Sequence, residues 1–149
     1  MPLNPQAVLA KWFDEVWNRG REQTVDELMS PNATAYGLGE MDRDVHGPSE
    51  FKVFVKNMRA AIPDVRIDIE DTATEQDKIA ARVILTGTNR GDGLGVPPSG
   101  KTVKIRGIVM VRVANGQIVE GWNSWDQLGL LRQIGALVHP AGPDRFLSC

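Results

Sequence analysis

The sequence predicts an α+β fold in a single domain covering residues 1–149, and three observations carry that prediction. Apolar residues recur at helical spacing up to Ile62, and from Val65 onward they fall at every second position. Asn115-Gly116, the dipeptide of a two-residue hairpin turn, separates two alternating runs. Helices gathered early and antiparallel strands late argue against the alternating βαβ order of a parallel sheet.

The elements follow in order. Asn4 is an N-cap and Pro5 suits a first helical position, so a helix begins here and stops at Gly20. Val8, Trp12 and Val16, with Leu9, Phe13 and Trp17 beside them, give it a broad apolar face. Thr24-Val25-Asp26-Glu27 fits a capping box at the start of a second helix, which Ser30-Pro31 ends. Residues 33–38 read as a short strand. A third helix opens at Gly47-Pro48 and carries Phe51, Phe54, Val55, Met58 and Ile62 on one face. Val65, Ile67 and Ile69 alternate with Arg66, Asp68 and Glu70 as a strand with one wet face. Strands are expected over 79–88 and 101–113, separated by the glycine- and proline-rich loop 89–100. A return strand covers 117–122, a short helix 127–134, and an irregular tail 136–149. A strongly curved sheet wrapped around a long helix would leave a conical cavity.

Composition narrows the function. Seventeen Lys and Arg against nineteen Asp and Glu leave a net charge of −2, without the concentrated basic face that nucleic acid or an anionic membrane selects. No apolar run reaches the ~18 residues that span a bilayer. The one cysteine, Cys149, and a start without a secretory signal point to a cytoplasmic protein. Two histidines, His46 and His139, show no metal-ligand spacing, so no metal is expected. The loop 89–100 lacks the Gly-x-x-x-x-Gly-Lys-Ser/Thr pattern of a phosphate cradle and is read as a lid or rim.

Several segments share a pattern: Ala81 to Thr88, Gly95-Val96-Pro97-Pro98-Ser99-Gly100-Lys101, Asn115 to Trp122, Asp126, and Leu128-Gly129-Leu130-Leu131-Arg132-Gln133-Ile134-Gly135. Together with Trp12-Phe13, Trp17 and Ile62-Pro63-Asp64 they resemble the SnoaL-like polyketide cyclase (ester cyclase) family of the nuclear-transport-factor-2-like superfamily. The resemblance implies a cone-shaped α+β barrel with a strongly curved, mostly antiparallel sheet around a hydrophobic pocket. It also implies a homodimer formed through the sheet face, and cofactor-independent intramolecular aldol closure of a hydrophobic carbonyl substrate. The family's acid/base aspartate precedes the terminal helix, the position of Asp126 here. This sequence departs from the family at Asn89, where relatives often carry histidine after Gly-Thr, and at Met110, where the cyclases place polar side chains.

Two readings of Asp126 stand side by side. Between Trp122, Trp125 and the last helix it could be a carboxylate whose pKa is raised by apolar neighbours, able to take and return a proton. It could equally be the N-cap of that helix. Tyr36, Met110, Trp122 and Trp125 are expected to shape the pocket, although Tyr36 could instead pack on the third helix. Trp12, Trp17, Phe51 and Phe54 recur at core spacing, but in a cone core and pocket share a wall, so Trp17 and Phe54 are counted with the site. Arg82 invites a partner in Glu120 or Asp126. The rival to an enzyme is a binding module of the same fold that holds an apolar small molecule without converting it.

Overall fold

The computed structural model describes residues 2–38 and 44–136, and its architecture is the expected α+β one. Helix α1 (Pro5–Lys11) runs on as a π-helical turn (Trp12–Asn18), followed by α2 (Glu22–Leu28), β1 (Met29–Tyr36), β2 (Val45–His46) and α3 (Gly47–Ala61). Then come β3 (Arg66–Glu75), β4 (Lys78–Thr88), β5 (Thr102–Ala114), β6 (Gln117–Trp125) and α4 (Gln127–Gln133). The strands form one curved, unclosed sheet in the order β2-β1-β6-β5-β4-β3. Only the β1–β6 pairing is parallel. α1 lies across β3, β4 and β5, whereas α3 packs on β1 and β2. The predicted tail beyond Ala136, with His139 and Cys149, lies outside the described residues.

The π-helical turn has a cause in the sequence. Asn4 caps α1 as expected, accepting the Ala7 N–H at 2.8 Å. The apolar doublets 8/9, 12/13 and 16/17 repeat every four residues, a period that drifts by about 40° per repeat around an α-helix. The wider π turn reverses the drift, and Val8, Leu9, Trp12, Phe13, Val16 and Trp17 are all buried.

Other local expectations are corrected. The capping box does not form, because α2 begins earlier, at Glu22. Thr24 is buried and its hydroxyl donates to Glu15 at 2.7 Å, while Glu27 faces Lys11 at 3.6 Å. β1 starts at Met29 and so takes in Ser30-Pro31, which fall where the β1–β6 register shifts between Met29 and Thr34. A register break is where a strand tolerates proline, which has no N–H for the ladder. β3 extends to Glu75 and turns at Gln76-Asp77, and β6 runs three residues past the expected Trp122. The Asn115-Gly116 turn has both residues at positive φ, 52° and 75°, as its type requires.

The loop 89–100 is not a rim of the hollow described below; it closes onto the C-terminal end of α3. Asn89 is fully buried, donates to the Ala61 and Gly91 carbonyls, and accepts from the Ser99 N–H (2.8 Å) and hydroxyl (3.0 Å). Asn89 is thus the structural pin of this loop.

Candidate functional site

The inner face of the sheet and the N-terminal helical layer meet over a mainly apolar hollow with about 40 Å³ of free space. β5 contributes Val109 and Val111, β6 contributes Gly121, Asn123 and Trp125, and the helical wall contributes Trp12, Trp17 and Phe51. Phe51 lies 4.8 Å from the Trp12 ring and 6.2 Å, edge-on, from Trp17. The protein's own aromatic side chains thus crowd the helical wall of the hollow.

The expected site residues divide between the two sheet faces. Trp17 and Trp125 line the hollow. Phe54 is one layer behind it, edge-on to Trp17 at 5.9 Å and outside the lining. Tyr36, Met110 and Trp122 are not in the lining either. On β5 the side chains of Val103, Ile105, Val109, Val111 and Val113 turn inward, because that parity buries the most apolar surface. Met110 then points outward and is 36% exposed. Register carries the correction across the sheet: Met110 pairs with Trp122, and Trp122 with Tyr36, so all three share the outer face. Tyr36 and Trp122 stack there with ring centroids 6.0 Å apart.

Asn123 is the site residue that sequence reading passed over. It lies two residues from both Gly121 and Trp125 and therefore on their inward parity, which was the available signal. Its Nδ2 donates to the Tyr36 carbonyl at 3.1 Å, which ties β6 to the end of β1.

Asp126 is exposed and caps α4, its Oδ1 accepting the Gly129 N–H at 2.8 Å. The carboxylate folds tightly over the first turn, and a Cβ at residue 129 would collide with it, so Gly129 is part of the cap. Trp122 faces out and Trp125 faces in, so the two tryptophans do not sandwich the carboxylate. The backbone N–H of Asp126 donates to the Arg106 carbonyl at 3.2 Å, which anchors the cap to β5.

The remaining charged candidates lie elsewhere. Arg82 and Arg106 both approach Glu70 at 3.8 Å, and Arg112 pairs with Glu120 at 3.3 Å, so Arg82 meets neither Glu120 nor Asp126. His46 is exposed at the start of α3, its Nδ1 3.3 Å from the Thr34 hydroxyl. Asp64 accepts the Thr88 N–H at 2.7 Å and hydroxyl at 3.0 Å. Desolvation pulls its pKa up, but these hydrogen bonds, its own backbone N–H and nearby Arg90 outweigh that and hold the carboxyl below its ordinary value. Among the described residues no three His, Cys, Asp or Glu side chains gather as a metal-binding set. No helix among them is long and apolar enough to cross a membrane.

Comparison with known proteins gives a consistent picture. The family model for SnoaL-like polyketide cyclases matches residues 7–134. Aklanonic acid methyl ester cyclase DauD of Streptomyces sp. (strain C5) is 25% identical over 135 residues, 89% of this chain and 83% of that protein. Nogalonic acid methyl ester cyclase of Streptomyces nogalater is 26% identical over 122 residues, 80% of this chain and 89% of that protein. A solved structure from Jannaschia sp. CCS1, assigned as a SnoaL-like polyketide cyclase, superposes with a TM-score of 0.80 at 26% identity. That superposition covers 90% of this chain and 93% of the other. Both of these relatives are methyl ester cyclases.

Proposed function

The chain belongs to the SnoaL-like polyketide cyclase family, and from that premise we propose that it closes a ring in a hydrophobic, carbonyl-bearing polyketide by cofactor-independent aldol-type addition. The observation that carries this reading is the similarity to ester cyclases along the segments that build the hollow, from α1 through α4. The substrates named for those relatives, aklanonic and nogalonic acid methyl esters, are the first to try.

In this reading Asp126 is the acid/base. Its Oδ1 is held by the Gly129 N–H, while among the described residues no hydrogen bond occupies Oδ2, which is left to exchange a proton. The carboxylate takes a proton from a carbon beside a carbonyl, and the carbanion adds to a second carbonyl to form the new C–C bond. The resulting alkoxide takes the proton back, so the reaction is a net isomerisation. The carbanion is stabilised mainly by the substrate's own carbonyls. Asn123, with Thr34, supplies the polar contacts of a mainly apolar wall. The substrate is larger than the free space, so Trp125 and Trp17 swing aside as it enters.

Binding without conversion is the second reading, and Asp126's commitment to the helix cap favours it. Incubating the protein with both methyl esters and following ring closure by chromatography separates the two. Turnover that falls at least ~100-fold in Asp126→Asn supports the cyclase, in line with the usual contribution of an acid/base group. Saturable binding of the esters with no product supports the binding module.

We also propose a homodimer through the outer sheet face. Ala80, Met110, Trp122 and Tyr36 form a cross-strand row over four strands, with Ile108 beside it 52% exposed. Arginine–glutamate pairs, Arg106–Glu70 and Arg112–Glu120, flank this row and offer a second copy both signs of charge.

A further inference from the structure

A second concavity lies between the π-helical turn, α2 and α3. It encloses about 310 Å³ and shares no lining residue with the hollow. Val16, Val25 and Val55 lie beneath it almost wholly covered, so its apolar surface comes from exposed Ala60, from Gly20 and from the aliphatic stems of the basic side chains, while Arg21, Lys52, Lys56, Arg59 and Glu22 supply its charges. Two of those cations are already paired, Arg21 with Glu15 at 3.0 Å and Lys52 with Asp26 at 2.6 Å. Lys56 and Arg59 have no carboxylate at ion-pair distance among the described residues.

Arg59 is built into its position. It is half-buried, and one guanidinium nitrogen donates to the Trp17 carbonyl. The guanidinium passes over Gly20, where a Cβ would stand 2.6 Å from Nε. Gly20 has φ +68°, so glycine serves both the turn and the guanidinium's passage. A guanidinium held by a carbonyl, with no other partner among the described residues, keeps its charge for an incoming anion.

We propose that this groove binds the carboxylate of a hydrophobic monoanion, an aryl or alkyl carboxylate, at a site separate from the ring-closing hollow. Arg59 and Lys56 take the carboxylate, and Ala60, Gly20 and the aliphatic stems of Lys52 and Lys56 take the apolar body. Two unpaired cations against Glu22 balance one negative charge, and the volume falls in the range of small-ligand sites. A neutral ester of the same acid gives up the charged contacts, so the groove distinguishes free acid from ester.

The test is titration of the full ¹⁵N-labelled chain with 2-naphthoate and, in parallel, methyl 2-naphthoate. The expected result is saturable amide shifts at Gly20, Val25, Val55 and Ala60 with the acid, and at least tenfold weaker binding of the ester. Lys56→Gln, at an exposed position, is expected to weaken the acid several-fold, and Arg59→Gln about tenfold, the usual loss of a charged hydrogen bond. Arg59→Lys keeps the charge and recovers part of the affinity, which separates charge recognition from damage to the helix contact. Equal binding of acid and ester, shifts centred on Asn123 and Trp125 instead, or unchanged affinity in Lys56→Gln and Arg59→Gln would each overturn the proposal. Ring closure plays no part in the readout, so failure here leaves the cyclase reading standing.

Discussion

The carboxamide of Gln133 occupies both backbone groups of Lys104: Oε1 accepts the Lys104 N–H at 2.7 Å, and Nε2 donates to the Lys104 carbonyl at 2.9 Å. β6 stops pairing with β5 at Trp125, opposite Gly107, so Gln133 supplies from α4 the cross-strand partner that β6 no longer provides. Gln133→Ala removes two hydrogen bonds worth about 0.5–1.5 kcal/mol each, and a loss of about 1–3 kcal/mol is expected in urea unfolding. Hydrogen exchange at the Lys104 amide should accelerate in the same variant. Unchanged protection there would mean that α4 is not held to β5 through this pair.

Asp126 allows capping and proton transfer to be separated by one choice of side chain. Asn caps about as well as Asp, so Asp126→Asn is expected to unfold within a few tenths of a kcal/mol of the parent. Asp126→Ala loses the acceptor for Gly129 and should cost about 1 kcal/mol. Under the cyclase reading both variants lose turnover, because neither side chain can carry the proton. Retained turnover in Asp126→Asn, measured beside its unfolding curve, would reduce Asp126 to a cap.

Much of the fold was legible because it rests on periodicity. The doublets of α1, the alternation of β5 and the Asn115-Gly116 turn each fix a local structure with little help from the rest of the chain. The site was less legible because it depends on parity and register, which are global. Met110 is apolar enough for a pocket wall, and only the greater apolar mass of Val109, Val111 and Val113 turns it outward. Tyr36 and Trp122 follow it through strand pairing that no local pattern states. Thr24 and Glu27 match a capping box, yet Glu15 from the preceding helix takes the threonine hydroxyl first.

Asp64 makes stability depend on pH in a known direction. Its folded pKa lies below its unfolded value of about 3.9, so its contribution is fully present above that value and is lost as pH falls through the folded pKa. Urea midpoints measured from pH 6 down to pH 2.5 should show a smaller acid-side decline in Asp64→Asn than in the parent. Because the Asp64 carboxyl is exposed, the difference is expected to be modest. Parallel declines in the two proteins would remove the assignment to Asp64.

The outer-face row gives an independent test of assembly. Met110→Glu places a charge between Ala80 and Trp122 without touching the hollow, which Met110 does not line. Sedimentation equilibrium is expected to report a dimer for the parent and a shift to monomer for Met110→Glu, with the circular dichroism spectrum unchanged. A parent that remains monomeric at high protein concentration contradicts the dimer.

The inner face ends at a contact that sets the shape of the hollow. A Cβ on Gly107 would lie 2.7 Å from two ring atoms of Trp125, so the indole covers a strand position with no side chain. Gly107→Ala drives the ring off that seat and should cost about 1–3 kcal/mol by overpacking. Trp125→Ala removes the nearer clash, so in the double variant the alanine at 107 should cost less, with only the Ser124 carbonyl at 3.1 Å left close to it. The coupling in that double-mutant cycle is expected to be on the order of 1–2 kcal/mol and of opposite sign to the single losses. Additive losses would show that Trp125 does not bear on Gly107. If the coupling is present, Trp125→Ala also widens the hollow, and a polyketide ester should bind to it faster than to the parent, since the ring no longer has to move first.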